Sequence, residues 1–95
     1  LGRSMHFVIH AIDRKDAGDL RLQTRPNHLT YLQDFKILYA GPLLDENQDM
    51  CGSLIVFEAD DLEDAKKIAS DDPYAKAGLF SQVHVTGYKP AIGPK

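Results

Sequence analysis

The chain has 95 residues, of which 43% are hydrophobic and 26% charged, with a formal net charge of −3. That length supports one domain near the lower limit for a core that holds without disulfides or metal, and the composition is globular rather than disordered. The eleven Lys and Arg are spread along the sequence and leave no basic footprint for nucleic acid; no apolar run approaches the roughly 18 residues of a membrane span, and a lone Cys51 permits neither an internal disulfide nor a zinc-ligand spacing. These features predict a cytoplasmic protein with no nucleic-acid and no membrane partner.

Leu1 to Ser4, ahead of Met5, read as vector-derived and stand outside the fold. Residues 5–12 are apolar enough for a strand, which Asp13-Arg14-Lys15-Asp16 and Gly18 end. Residues 19–24 predict a short helical turn, after which Pro26 restarts a helix with Leu29, Leu32 and Phe35 on one face. Residues 37–44 predict a second strand whose Gly41-Pro42 marks an edge or a bend, and residues 45–49 a turn. A third strand covers 53–59. Asp60-Asp61 then cap a helix whose inward face carries Leu62, Ala65, Ile68 and Ala69. Pro73 ends or redirects that helix, residues 75–79 suggest another turn, residues 82–89 the last strand, and residues 90–95 a tail.

The order βαββαβ predicts an α+β, ferredoxin-like domain over residues 5–89: an antiparallel four-stranded sheet with helices on one face. In the first strand Phe7, Ile9 and Ala11 point one way while Val8 and Ile12 point the other; in the third, Leu54 and Val56 oppose Ile55 and Phe57. An antiparallel sheet open to water should alternate apolar with polar, so both faces of this one ask for cover. A second copy is the simplest cover. The expectation is a homodimer with its sheets face to face.

The chemistry concentrates in Arg21-Leu22-Gln23-Thr24-Arg25-Pro26-Asn27-His28-Leu29 and in Asp71-Asp72-Pro73-Tyr74. Proline is favoured in a helix's first turn, so His28 is expected near a helix N-terminus, where the dipole favours a neutral imidazole. These segments, with Ala40-Gly41-Pro42-Leu43, Gly52-Ser53 and the run from Tyr74 to Phe80, follow one another in the order of the YciI-like (YCII-related) family, which the chain resembles from Met5 to about Lys89. The resemblance implies a dimeric α+β barrel and an active site built on a histidine and aspartate dyad, which falls on His28 and Asp72. Asp71 is adjacent, but only Asp72 occupies the position before Pro-Tyr. One branch of the family includes a dehydrochlorinase of a chlorinated hydroxyhydroquinone.

A neutral imidazole can take a proton from a phenol or from carbon beside a carbonyl, and a carboxylate can fix its tautomer and stabilise the imidazolium as it forms. Arg21 and Arg25 could receive a substrate oxyanion, or could pair with Asp16 or Asp19. Ser53 and Tyr74 join them as expected substrate-binding residues, for an anionic or aromatic small molecule. His6 and His10 share a face of the first strand but stand about 13 Å apart. His84 could approach His10 across the sheet, yet two histidines without a third ligand make a poor site, so neither metal nor cofactor is expected. Two readings stay open: a lyase-like, dehydrochlorinase-like enzyme, or a non-catalytic homodimer that binds a small metabolite. A catalytic His28 should lie within hydrogen-bond reach of Asp72; a binding module could leave the two apart.

Overall fold

The computed structural model describes residues 5–93, so the vector-derived reading of the first four residues and the end of the tail lie outside it. The elements run β1 (Met5–Asp13), α1 (Leu20–Leu32), β2 (Lys36–Leu44), β3 (Met50–Ala59), α2 (Leu62–Asp71), α3 (Pro73–Lys76) and β4 (Phe80–Tyr88). The strands form one four-stranded antiparallel sheet in the order β2-β3-β1-β4, the ferredoxin-like arrangement. Alternation along β1 sends Phe7, Ile9 and Ala11 to the covered face, where the register sets Phe7 beside Phe57 and Ile9 beside Ile55. Leu32 of α1 and Ala65, Ile68 and Ala69 of α2 close the core over them. Alanines at the crossing let α2 lie close on the sheet.

Asp61 caps α2 by accepting from the Asp64 amide at 2.8 Å, and the Asp64 carboxylate reaches back to the Asp60 amide at 3.3 Å. The Tyr31 hydroxyl donates to the Ile68 carbonyl at 2.9 Å, tying α1 to α2. Pro42 falls in β2, an edge strand, which is where a residue without an amide proton can be carried.

The structure corrects the predicted helices in several places. The turn and helix expected on either side of Pro26 are one continuous helix, α1, with Pro26 inside it. Proline removes one amide and crowds the carbonyl a turn earlier, at a cost of about 3 kcal/mol. The helix runs through because tertiary contacts of Arg21 hold its first half and those of His28 and Leu32 its second. His28 therefore sits one turn before the helix's C-terminal end, and the N-terminal dipole argument for a neutral ring does not apply. The turn expected at 75–79 is replaced by α3, which starts at Pro73. Leu29 and Leu62, expected on buried faces, are 44% and 42% exposed.

Two strands also begin earlier than their apolar runs suggest, because backbone pairing continues past them: Leu44 pairs with Met50, and Asp13 with Phe80 across an irregularity in β1. Gly52 lies where β3 runs so close to β1 that a Cβ would strike the Ala11 carbonyl oxygen.

Candidate active site

Among the described residues the buried polar side chains are Arg21, His28, Ser53 and Asp72, and hydrogen bonds and ring contacts join all four into one cluster. Arg21 and His28 come from the inward face of α1, Ser53 from β3, and Asp72 from the junction between α2 and α3. Polar groups survive burial only when they are bonded, and these are.

His28 Nδ1 lies 2.9 Å and 2.8 Å from the two carboxylate oxygens of Asp72. An ionised carboxylate only accepts, so Nδ1 carries a proton, and in the neutral form of the ring Nε2 presents a lone pair. The same Asp72 accepts from the Tyr74 amide at 2.8 Å, capping α3. One carboxylate thus starts a helix and fixes the histidine, and the helix start fixes the carboxylate. Nε2 has no hydrogen-bond partner among the described residues. No buried side-chain nitrogen or oxygen among the described residues lacks one, which leaves Nε2 open to solvent.

The imidazole lies on the Tyr74 ring, with centroids 4.0 Å apart and planes 20° from parallel. On Tyr74 also rests the Arg21 guanidinium, its Cζ 4.7 Å from the ring centroid, while Phe80 meets Tyr74 edge-on at 6.0 Å. Arg21 donates from Nε and a terminal nitrogen to the two Asp13 oxygens at 2.8 Å and 2.7 Å, and again to Ser53 Oγ at 3.0 Å. Burial alone lowers its affinity for the proton, but the hydrogen bond and charge of Asp13, with Tyr74 adding to them, more than offset this and hold the guanidinium above its ordinary range. Burial likewise raises the Tyr74 phenol, against the charges of Arg21 and Arg25. The partners weighed for Arg21 from the sequence are engaged elsewhere: Asp16 lies 3.4 Å from Arg14, and Asp19 accepts from Gln23 at 3.0 Å.

A cavity of about 100 Å³ opens beside this cluster. It is lined by polar or aromatic side chains, Arg21, Arg25, His28, Ser53 and Tyr74, and by the smaller or apolar Leu29, Ala40, Gly41, Pro42 and Met50. An apolar cavity of ~150 Å³ accepts benzene, so this space is about two thirds of one that encloses a six-membered ring. Arg25 is exposed and makes no hydrogen bond or ion pair among the described residues.

Asp13 was read only as a strand breaker, yet it shares the parity of Phe7, Ile9 and Ala11, and strand periodicity carried one step further places it on the inward face. Of the β2 and β3 residues that line the cavity, Ser53 was expected there and Ala40, Gly41 and Pro42 fall in a segment that carries the family resemblance, whereas Met50 gave no signal in the sequence. Away from the site, His10 and His84 face each other in register with ring centroids 6.3 Å apart, and no group of three or more metal-ligating side chains occurs among the described residues. Among the described residues no helix is long and apolar enough to cross a membrane.

The family model of the YCII-related domain matches residues 5–89. The chain belongs to that family. Its relatives include protein YciI of Escherichia coli O6:H1, 37% identical over 95 residues that cover 90% of this chain and 97% of the relative. A Haemophilus influenzae protein is 34% identical over the same shares of the two chains. Among solved structures, the 5-chloro-2-hydroxyhydroquinone dehydrochlorinase of Burkholderia phenoliruptrix AC1100, in complex with 2,5-dihydroxybenzoquinone, superposes with a TM-score of 0.83 at 32% identity. That match covers 92% of this chain and 96% of the dehydrochlorinase.

Proposed function

We propose that this member of the family is a small homodimeric enzyme of the lyase type, in which His28 moves protons on a hydroxylated ring and Asp72 is its partner. One observation carries the reading: His28, held through Nδ1 by Asp72, lines a cavity of about 100 Å³. The structurally similar dehydrochlorinase, solved with a dihydroxybenzoquinone, supports a ring as the occupant and loss of hydrogen chloride as the reaction.

For a chlorinated ring triol the steps balance without an oxidant. Nε2 takes the proton of a ring hydroxyl, and Asp72 stabilises the imidazolium that results. The imidazolium returns that proton to the ring carbon that bears chlorine, giving a ketone tautomer. A second hydroxyl proton then leaves to Nε2 as the carbon–chlorine bond breaks, so that the products are a hydroxyquinone, chloride and a proton. A general base contributes typically 10²- to 10⁴-fold to such transfers.

The dimer rests on the uncovered sheet face, where Val8, Ile12 and Val56 are half-buried while Leu54 and Tyr39 are 36% and 54% exposed. A second copy laid on this face would cover them.

The test is a panel of chlorinated and hydroxylated benzenes assayed for chloride release with wild-type, His28→Ala and Asp72→Asn protein. His28→Ala should lose turnover and keep most of its affinity, because the base acts in the transition state. Asp72→Asn should keep α3 capped through its amide oxygen but no longer lock one imidazole tautomer, which nitrogen-15 shifts of the ring report. Wild-type turnover in His28→Ala would overturn the assignment.

A further inference from the structure

Two arginines one helical turn apart border the cavity, and their surroundings differ. Arg21, Arg25 and His28 follow one another at i, i+4 and i+7, a single stripe along α1. Arg21 is 6% exposed; its fork is filled by both oxygens of Asp13, a terminal nitrogen also reaches Ser53, and its flat face lies on Tyr74. Its charge is cancelled at contact distance by Asp13. Arg25 is exposed at the mouth of the same cavity, and none of its donors is engaged by a described residue. Asp13 already answers Arg21, whereas no carboxylate among the described residues is paired with Arg25.

We infer that Arg25 alone is the specificity-determining cation of the cavity, selecting a ring that carries an ionised oxygen, while Arg21 is withheld from substrate. The inference rests on the reading of the cavity as the substrate site. Arg25 and His28 are three residues apart, with Cβ atoms about 5–6 Å from each other, a span that two substituents of one ring bridge. The ionised oxygen meets the guanidinium fork, a second ring oxygen meets the His28 imidazole, and the ring lies against Leu29, Pro42 and Met50. A ring with no ionised oxygen leaves the fork to water and gains only the apolar contact.

The experiment is a calorimetric titration of the full chain with 2,5-dihydroxybenzoquinone, a vinylogous acid that is ionised at neutral pH, and with hydroquinone, which is not. Wild-type protein should prefer the ionised ring, and the preference should shrink as salt is raised. Arg25→Gln should lose roughly 10- to 100-fold in affinity for the ionised ring, the usual worth of one charge-assisted contact, while hydroquinone stays within about twofold. Arg25→Lys, which keeps the charge but not the fork, should fall between. Because Arg25 is exposed and unpaired among the described residues, these variants should keep the wild-type circular dichroism, which is checked alongside. A preference for the ionised ring that is unchanged in Arg25→Gln overturns this inference and leaves the proposed reaction standing. Failure of the wild type to bind either ring overturns both. Selectivity that follows Arg25 while His28→Ala keeps full turnover supports the arginine assignment and removes only the base.

Discussion

Removing Asp13 separates the buried ion pair from everything else at the site. In Asp13→Ala the guanidinium of Arg21 stays where α1 puts it, 6% exposed, but loses both carboxylate oxygens, at 2.8 Å and 2.7 Å. Deleting one partner of a buried pair costs about 3–5 kcal/mol, because the remaining charge is left without compensation. Here Ser53 still accepts at 3.0 Å and the Tyr74 face still receives the cation, so the lower end applies. The expected loss is about 3 kcal/mol, roughly a hundredfold in the folding equilibrium. Against a total of about 5–15 kcal/mol this is large, and it should appear as a lower urea midpoint at unchanged slope. The comparison is made at one protomer concentration, since any self-association of the folded chain makes stability depend on it. Asp13→Asn, which keeps an acceptor oxygen, should lose less, and Asp13→Leu combined with Arg21→Met should recover much of the loss. A midpoint for Asp13→Ala equivalent to less than about 1 kcal/mol would refute the view that Asp13 is what compensates Arg21.

Gly52→Ala should destabilise by about 1–3 kcal/mol, because its Cβ meets the Ala11 carbonyl of the neighbouring strand, and a small change in thermal midpoint would refute the close approach. The Tyr31 phenol is pushed up to about 12, first by burial and then by the charges of Asp71 and Asp72. Since the folded value exceeds the unfolded one, the stability it contributes is present below about pH 10 and is lost as pH rises toward 12, so Tyr31→Phe should flatten the alkaline limb of the stability profile. Its lost hydrogen bond to Ile68 should cost about 1 kcal/mol at neutral pH, read by urea denaturation. Val56→Lys on the uncovered sheet face should turn a dimer of wild-type protein into monomers in sedimentation, and a wild type that sediments as a monomer refutes the dimer.

The amino-acid sequence determined what short-range periodicity and local chemistry can determine. Alternation in β1 and β3 specified which residues face the helices, Asp61 announced the start of α2, and the order of the segments around Arg21, Pro42, Ser53 and Asp72 marked the family. The first two of these signals lie within a few residues of their consequence. The course of α1 through Pro26 was decided elsewhere, because the anchors that outweigh proline's penalty come from β1, β3 and the α2–α3 junction. The same holds for the arginines. In sequence Arg21 and Arg25 are equivalent cations near several acidic residues; only the packing of α1 over the inward end of β1 gives one of them a buried carboxylate and leaves the other facing the cavity. His28 and Asp72, 44 residues apart, could be matched by resemblance, but their contact exists because Asp72 is held as the cap of α3 while α1 carries the imidazole to it. Pairing strength in such a site depends on distance and on exclusion of water, and both are properties of the assembled layers rather than of any segment.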